Sequence, residues 1–181
     1  RSIVASKPLF QKKEGLMAVE NTFSLLNIFT NKVSGSEFEK QLKNIWRIAS
    51  VYNHYYTAEY SFPGKLSLSG TPLNESIVCL HQILPKFQRE NKIQKVHCVI
   101  LTDGEASPLN YYTMRPGYYN NSATLGVRSI DHRTSILRDR KTGNTYKMDN
   151  HASKFTDVLL TNLKDNFPSM SLIGIRVIAG R

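Results

Sequence analysis

Cysteine is scarce in this chain. Cys79 and Cys98 sit inside apolar segments and form no C-x-x-C pair. Free, buried thiols are the expectation, and they suit a reducing, cytoplasmic compartment. Long hydrophobic runs are missing as well. Val99 to Leu101, with Val96 nearby, falls far short of the ~20 residues that a membrane span needs. The start, Arg1-Ser2-Ile3-Val4, has no initiator Met and no apolar leader stretch, and the last residues follow directly on an apparent strand. Both ends are therefore expected to be cuts in something longer. The five histidines, His54, His81, His97, His132 and His151, show no His-Glu-x-x-His and no close metal spacing, which argues against a zinc site. Gly64-Lys65 lacks the Walker pattern, no Gly-x-Ser-x-Gly elbow occurs, and Asp131, His132 and Ser135 are too local for a triad. The expectation is a protein that is not an enzyme.

What is present is ordinary globular material. At 181 residues the chain fits one domain with a real core, and 40% hydrophobic against 21% charged residues rules out wholesale disorder. Lysine and arginine exceed aspartate and glutamate by 24 to 14, giving a net charge of +10. Such an excess suits nucleic acid, an acidic partner or an anionic surface, but the charges are scattered and few form dense runs, so a solvated basic surface is the favoured account.

Phe23 to Phe29 is apolar and aromatic and predicts a strand. Ser36-Glu37-Phe38-Glu39 has the form of a capping box, and Phe38, Leu42, Ile45, Trp46 and Ala49 then recur at helical spacing to about Val51. Ser69-Gly70-Thr71-Pro72 places a Thr cap before a Pro at the first helical position. The stripe Leu73, Ile77, Leu80, Leu84 and Phe87 follows, with Pro85 expected to kink or shorten the helix. Val96 to Leu101 reads as a strand buried on both faces, His97 being a satisfied core histidine. Residues 106–150 read as an insertion: an aperiodic loop over Ala106 to Asp131, then a hairpin around Lys141-Thr142-Gly143-Asn144. A helix over His151 to Asn166, a stop at Pro168 and a strand over Ser171 to Ile178 close the chain. Helix, short loop and apolar strand in succession imply an α/β class with a mostly parallel sheet.

Two segments carry chemistry in that layout. Thr71 lies at a helix start and Asp103 just past a strand end, and in a parallel sheet such loops share the carboxyl edge where ligands bind. A hydroxyl and a carboxylate are hard oxygen donors suited to Mg²⁺. Gly70-Thr71-Pro72-Leu73-Asn74-Glu75 and Leu101-Thr102-Asp103-Gly104-Glu105 resemble the second and third loops of the metal-ion-dependent adhesion site of von Willebrand factor A domains. The nearest flavour is the intracellular branch, as in cobalt- and magnesium-chelatase subunits and similar proteins of tailed bacteriophages. The resemblance spans roughly residues 23–178, outside the hairpin. It implies a Rossmann-like, doubly wound fold and a Mg²⁺ held by the Thr71 hydroxyl directly and by Asp103 through water. Ser69, Gly70 and Gly104 would support the loops, and a partner carboxylate, such as one from an AAA+ ATPase, would take the open position.

The family's first loop, Asp-x-Ser-x-Ser, occurs nowhere in the chain. The expectation is a domain lacking its first strand, with weak or absent Mg²⁺ binding. Simpler roles stand beside these: Thr71 as a helix cap, Asp103-Gly104 as a turn, Glu75 and Glu105 as solvated or capping groups. Tyr111, Tyr112, Arg115, Tyr118 and Tyr119, with Arg133, Arg138, Arg140 and Lys141 nearby, support a second reading in which aromatics stack on bases and cations hold phosphates. The simpler and favoured reading is that these tyrosines cover the hairpin and the sheet edge. The alternatives to a metal-dependent adhesion module are thus a basic nucleic-acid-binding domain or a structural component of a virion.

Overall fold

The computed structural model describes residues 10–19, 23–53, 66, 70–107, 109–117, 122–131, 133–148 and 153–178. The chain divides into two compact units, Ser24–Gly70 and the remainder, Arg1–Phe23 with Thr71–Arg181. No helix among the described residues is long and apolar enough to cross a membrane.

The smaller unit is built on helix α1, Gly35–Asn53. Its cap is Ser34, not Ser36: the Ser34 hydroxyl accepts from the Glu37 amide at 3.3 Å, and the Ser34 carbonyl accepts from the Phe38 amide at 2.9 Å. Ser34 wins because the helix begins at Gly35, leaving Ser36 inside the first turn. The strand expected over Phe23 to Phe29 is absent; residues 23–30 form neither helix nor strand. Within the unit this segment is instead tied to α1, through the Thr30 amide on the Gln41 side chain at 2.8 Å and Phe29 against Phe38 with ring centroids 4.7 Å apart. A run of apolar residues reads the same whether it pairs with a strand or lies along a helix.

The larger unit holds the core. Helix α2, Leu73–Asn91, turns Ile77 and Leu84 inward, and helix α3, Ser153–Asn166, answers with Phe155, Leu159 and Leu163. Val96 and Met170 close the cluster at the starts of two parallel strands, β2 (His97–Thr102) and β7 (Ser171–Arg176), which pair from His97 with Ser171 to Thr102 with Arg176. Pro85 neither ends nor shortens α2, which runs on to Asn91 and stops with Lys92 in the left-handed region at φ 51°. The Lys92 and Ile93 amides then return to the last turn, a C-terminal motif that glycine usually fills.

Three further expectations are corrected, and one, the hairpin, is met. The loop expected over Ala106 to Asp131 contains two strands, β3 (Asn110–Arg115) and β4 (Thr124–Ser129), paired antiparallel, with the short β1 (Met17–Ala18) on the far side of β3. Their alternation is weak because β4 is exposed on nearly every residue. The hairpin is present as β5 (Ile136–Arg138) and β6 (Thr145–Lys147), with Gly143 left-handed in its turn at φ 81°. Finally, β2 is buried on one face only. Cys98, Ile100 and Thr102 are half-buried on one face, while His97, Val99 and Leu101 are exposed on the other. His97 is thus no core histidine. The class is α/β, with small sheets that include one parallel pair.

Candidate functional site

At the carboxyl end of β2 the chain turns through Thr102 to Glu105. The Thr102 hydroxyl bridges the turn, accepting from the Gly104 amide at 3.3 Å and donating to the Gly104 carbonyl at 3.1 Å. Asp103 is exposed within it, and its carboxylate makes no ion pair or hydrogen bond among the described residues. Glu105, also exposed, is engaged by Arg176 across the end of β7 at 3.6 Å.

Thr71 meets this turn. A β-carbon built on Gly104 would sit 2.7 Å from the Thr71 hydroxyl oxygen, so any other residue there would force that hydroxyl to turn away. Gly70 is needed for a different reason: its φ of 71° is left-handed, and the space around it is open. Thr71 is not a helix cap. The residue at the cap of α2 is Pro72, which cannot offer a side-chain bond, and the Pro72 carbonyl takes both the Ser76 amide and the Ser76 hydroxyl. Among the described residues the Thr71 hydroxyl has no hydrogen-bond partner. Ser69 lies outside the described residues.

The residue that fastens this corner is Asn74, which has only 1% of its surface exposed. Its amide nitrogen donates to the Ser107 carbonyl at 2.8 Å, and its oxygen accepts from the Thr156 hydroxyl at 2.8 Å. Because Ser107 offers an acceptor, the amide orientation is determined by chemistry. Asn74 therefore joins the loop after β2, the first turn of α2 and the first turn of α3. Glu75 is buried beside it rather than solvated. Burial, reinforced by Glu75, pushes the Cys79 thiol up, and burial does the same to Cys98. Both thiols are free and held in their unreactive form.

The donors at this corner fit a hard divalent cation in kind: one carboxylate and one hydroxyl that nothing else occupies among the described residues. They do not form a complete cage. No group of three or more His, Cys, Asp or Glu side chains able to hold a metal occurs among the described residues. Mg²⁺ tolerates such a sparse set because it keeps several of its waters.

The second group of candidates is scattered. Tyr112 is buried in the β1–β3–β4 sheet and presents no free ring for stacking, while Tyr111 is half-buried. Arg115 folds over Gly126, whose missing β-carbon makes room for it, and donates to the Val127 carbonyl. Tyr118 and Tyr119 lie outside the described residues. Arg133, Arg138, Arg140 and Lys141 are exposed, and none forms an ion pair among the described residues. Comparison with family models, with curated proteins and with solved structures finds no match to this chain.

Proposed function

We propose that the chain is a non-catalytic, metal-dependent protein-binding module of the von Willebrand A type, in which Thr71 and Asp103 hold a Mg²⁺-like cation at the carboxyl end of β2. The supporting observation is the close approach of the Thr71 hydroxyl to Gly104, which puts a hydroxyl without a hydrogen-bond partner among the described residues beside the turn that carries Asp103. When bound, the cation supplies a localised positive charge to which a partner's carboxylate can add. The protein's own share is positional: Asn74 holds the α2 start to the loop after β2, and the Thr102 hydroxyl braces the turn. A Rossmann-like, doubly wound frame belongs to this reading. Its support is the parallel β2–β7 pair with the α2–α3 core packed on one face; a second helical layer would have to cover the other. The partner it implies offers an acidic side chain, and the chelatase resemblance points to an AAA+ ATPase in the cytoplasm.

The test is Mn²⁺ binding to the full chain, followed by water proton relaxation, with Mg²⁺ as competitor. Weak binding that Mg²⁺ displaces is expected, and Thr71→Ala and Asp103→Ala should each lower affinity on the order of tenfold. Binding unchanged in both variants would remove the metal from this corner. If instead the chain binds an oligonucleotide with an affinity that falls steeply with salt and with Arg138→Ala/Arg140→Ala, the nucleic-acid reading replaces this one.

A further inference from the structure

A second site lies elsewhere in the larger unit and shares no lining residue with the Thr71–Asp103 corner. Between α2, the end of α3, the β5–β6 hairpin and the segment entering β1 is a cleft of about 870 Å³. That volume is in the range of small-molecule sites, which run from roughly 300 to 1,000 Å³. Its floor is apolar, made by Val78, Leu137, Met148 and Leu159, all members of the core cluster or packed against it. One wall is the ring pair His81 and Phe167, with centroids 5.9 Å apart. Burial, helped by the Lys141 charge and opposed by Asp139, pushes the His81 pKa down, so that wall is a neutral aromatic surface.

The mouth is cationic. Arg138, Arg140 and Lys141 follow one another along the hairpin and its turn, and all three line the cleft. One carboxylate stands among them, Asp139, and its oxygens are already in use. One accepts from the Lys141 and Thr142 amides at 2.7 and 3.3 Å, the other from the Asn162 and Asn166 side chains at 2.8 and 2.6 Å. Asp139 is thereby committed to holding the hairpin on α3, and among the described residues the three cations form no ion pair. An apolar floor under a cationic rim selects a particular chemistry: burial of an apolar body, and charge-assisted hydrogen bonds to an anionic head.

We propose that this cleft binds a small amphipathic anion, an aromatic or alkyl body bearing a single sulfonate, carboxylate or phosphate group. The pair of probes that tests it shares one aromatic body: 8-anilinonaphthalene-1-sulfonate, which is anionic, and N-phenyl-1-naphthylamine, which is not. Fluorescence titration of the full chain should give saturable, one-site binding of the sulfonate. The triple substitution Arg138→Ala/Arg140→Ala/Lys141→Ala, at exposed positions, should weaken it by about tenfold while leaving the uncharged probe nearly unaffected. Gln82→Trp, an exposed cleft residue on α2, should obstruct both probes. Leu101→Lys, on the bare face of β2, should change neither. Sulfonate binding that persists in the triple variant, that does not saturate, or that is lost in Leu101→Lys overturns the proposal.

Discussion

Asn74 does more for the candidate site than either proposed ligand, because three segments meet on one amide. Replacing it with Ala removes two hydrogen bonds made by a buried side chain, while the exposed Ser107 and the half-buried Thr156 can turn to water, at a cost of about 0.5–1.5 kcal/mol per bond. Asn74→Ala should therefore lower the unfolding free energy measured by chemical denaturation by about 1–3 kcal/mol in total, and it should weaken Mn²⁺ binding although it removes no proposed ligand. Loss of stability with metal binding intact would show that the corner keeps its shape without the amide. Asn74 could not be found by reading along the chain. Its partners are 33 and 82 residues away, and a lone Asn in the first helical turn looks like an unremarkable polar residue. Thr71 and Gly104 were legible because short local patterns carry them. Even so, the expected Thr71 cap failed on a local detail: with Pro72 at the cap position, the bond assigned to the Thr hydroxyl has no place in the helix.

Helices were legible from apolar spacing alone: α1 was found from Phe38, Leu42, Ile45, Trp46 and Ala49 although it buries no residue. Helices α2 and α3 bury part of the stripe that their spacing announces, with Phe87 of α2 left exposed, and β2 and β7 were found from their β-branched content. Strands β3 and β4 were missed because their exposed residues, Met114, Arg115, Leu125 and Arg128 among them, mix polar and apolar with no period. The hairpin was legible from its Gly143-Asn144 turn, but its attachment to α3 was not, since it depends on Asp139 meeting Asn162 and Asn166. That attachment makes stability depend on pH. Burial pushes the Asp139 pKa up, but the side-chain bonds from Asn166 and Asn162 and the amides of Lys141 and Thr142 outweigh it and hold the carboxyl well below its usual range. A group with a depressed folded pKa stabilises the fold above its unfolded value, here about 3.8, and that contribution is lost as pH falls through the folded value. Thermal melts of the wild type should thus keep losing stability below about pH 4, where Asp139→Asn, having no such proton to take up, should show a shallower acid limb. Parallel acid limbs in the two proteins would mean that the carboxylate charge contributes nothing to holding the hairpin.

At the scale of the molecule, the parallel pair has one covered face. Cys98, Ile100 and Leu172 pack toward the helices, whereas Val99 is 56% and Leu101 67% exposed, with Ile173 and Ile175 exposed beside them in register. A doubly wound sheet buries both faces, which is why the run from Val96 to Leu101 reads as fully buried in the sequence. The two arrangements differ in what a charge on this face costs. A lysine at a position that remains in water changes stability within about 0.5 kcal/mol, whereas one forced under a packed helical layer costs several times more, because the ammonium loses its hydration. Leu101→Lys and Ile175→Lys, measured separately by urea denaturation of this chain, should each fall in the first class and should raise solubility by breaking up the apolar strip. A destabilisation of several kcal/mol at both positions would show that this face is covered in solution. The second layer required by the doubly wound reading would then already be present in the chain.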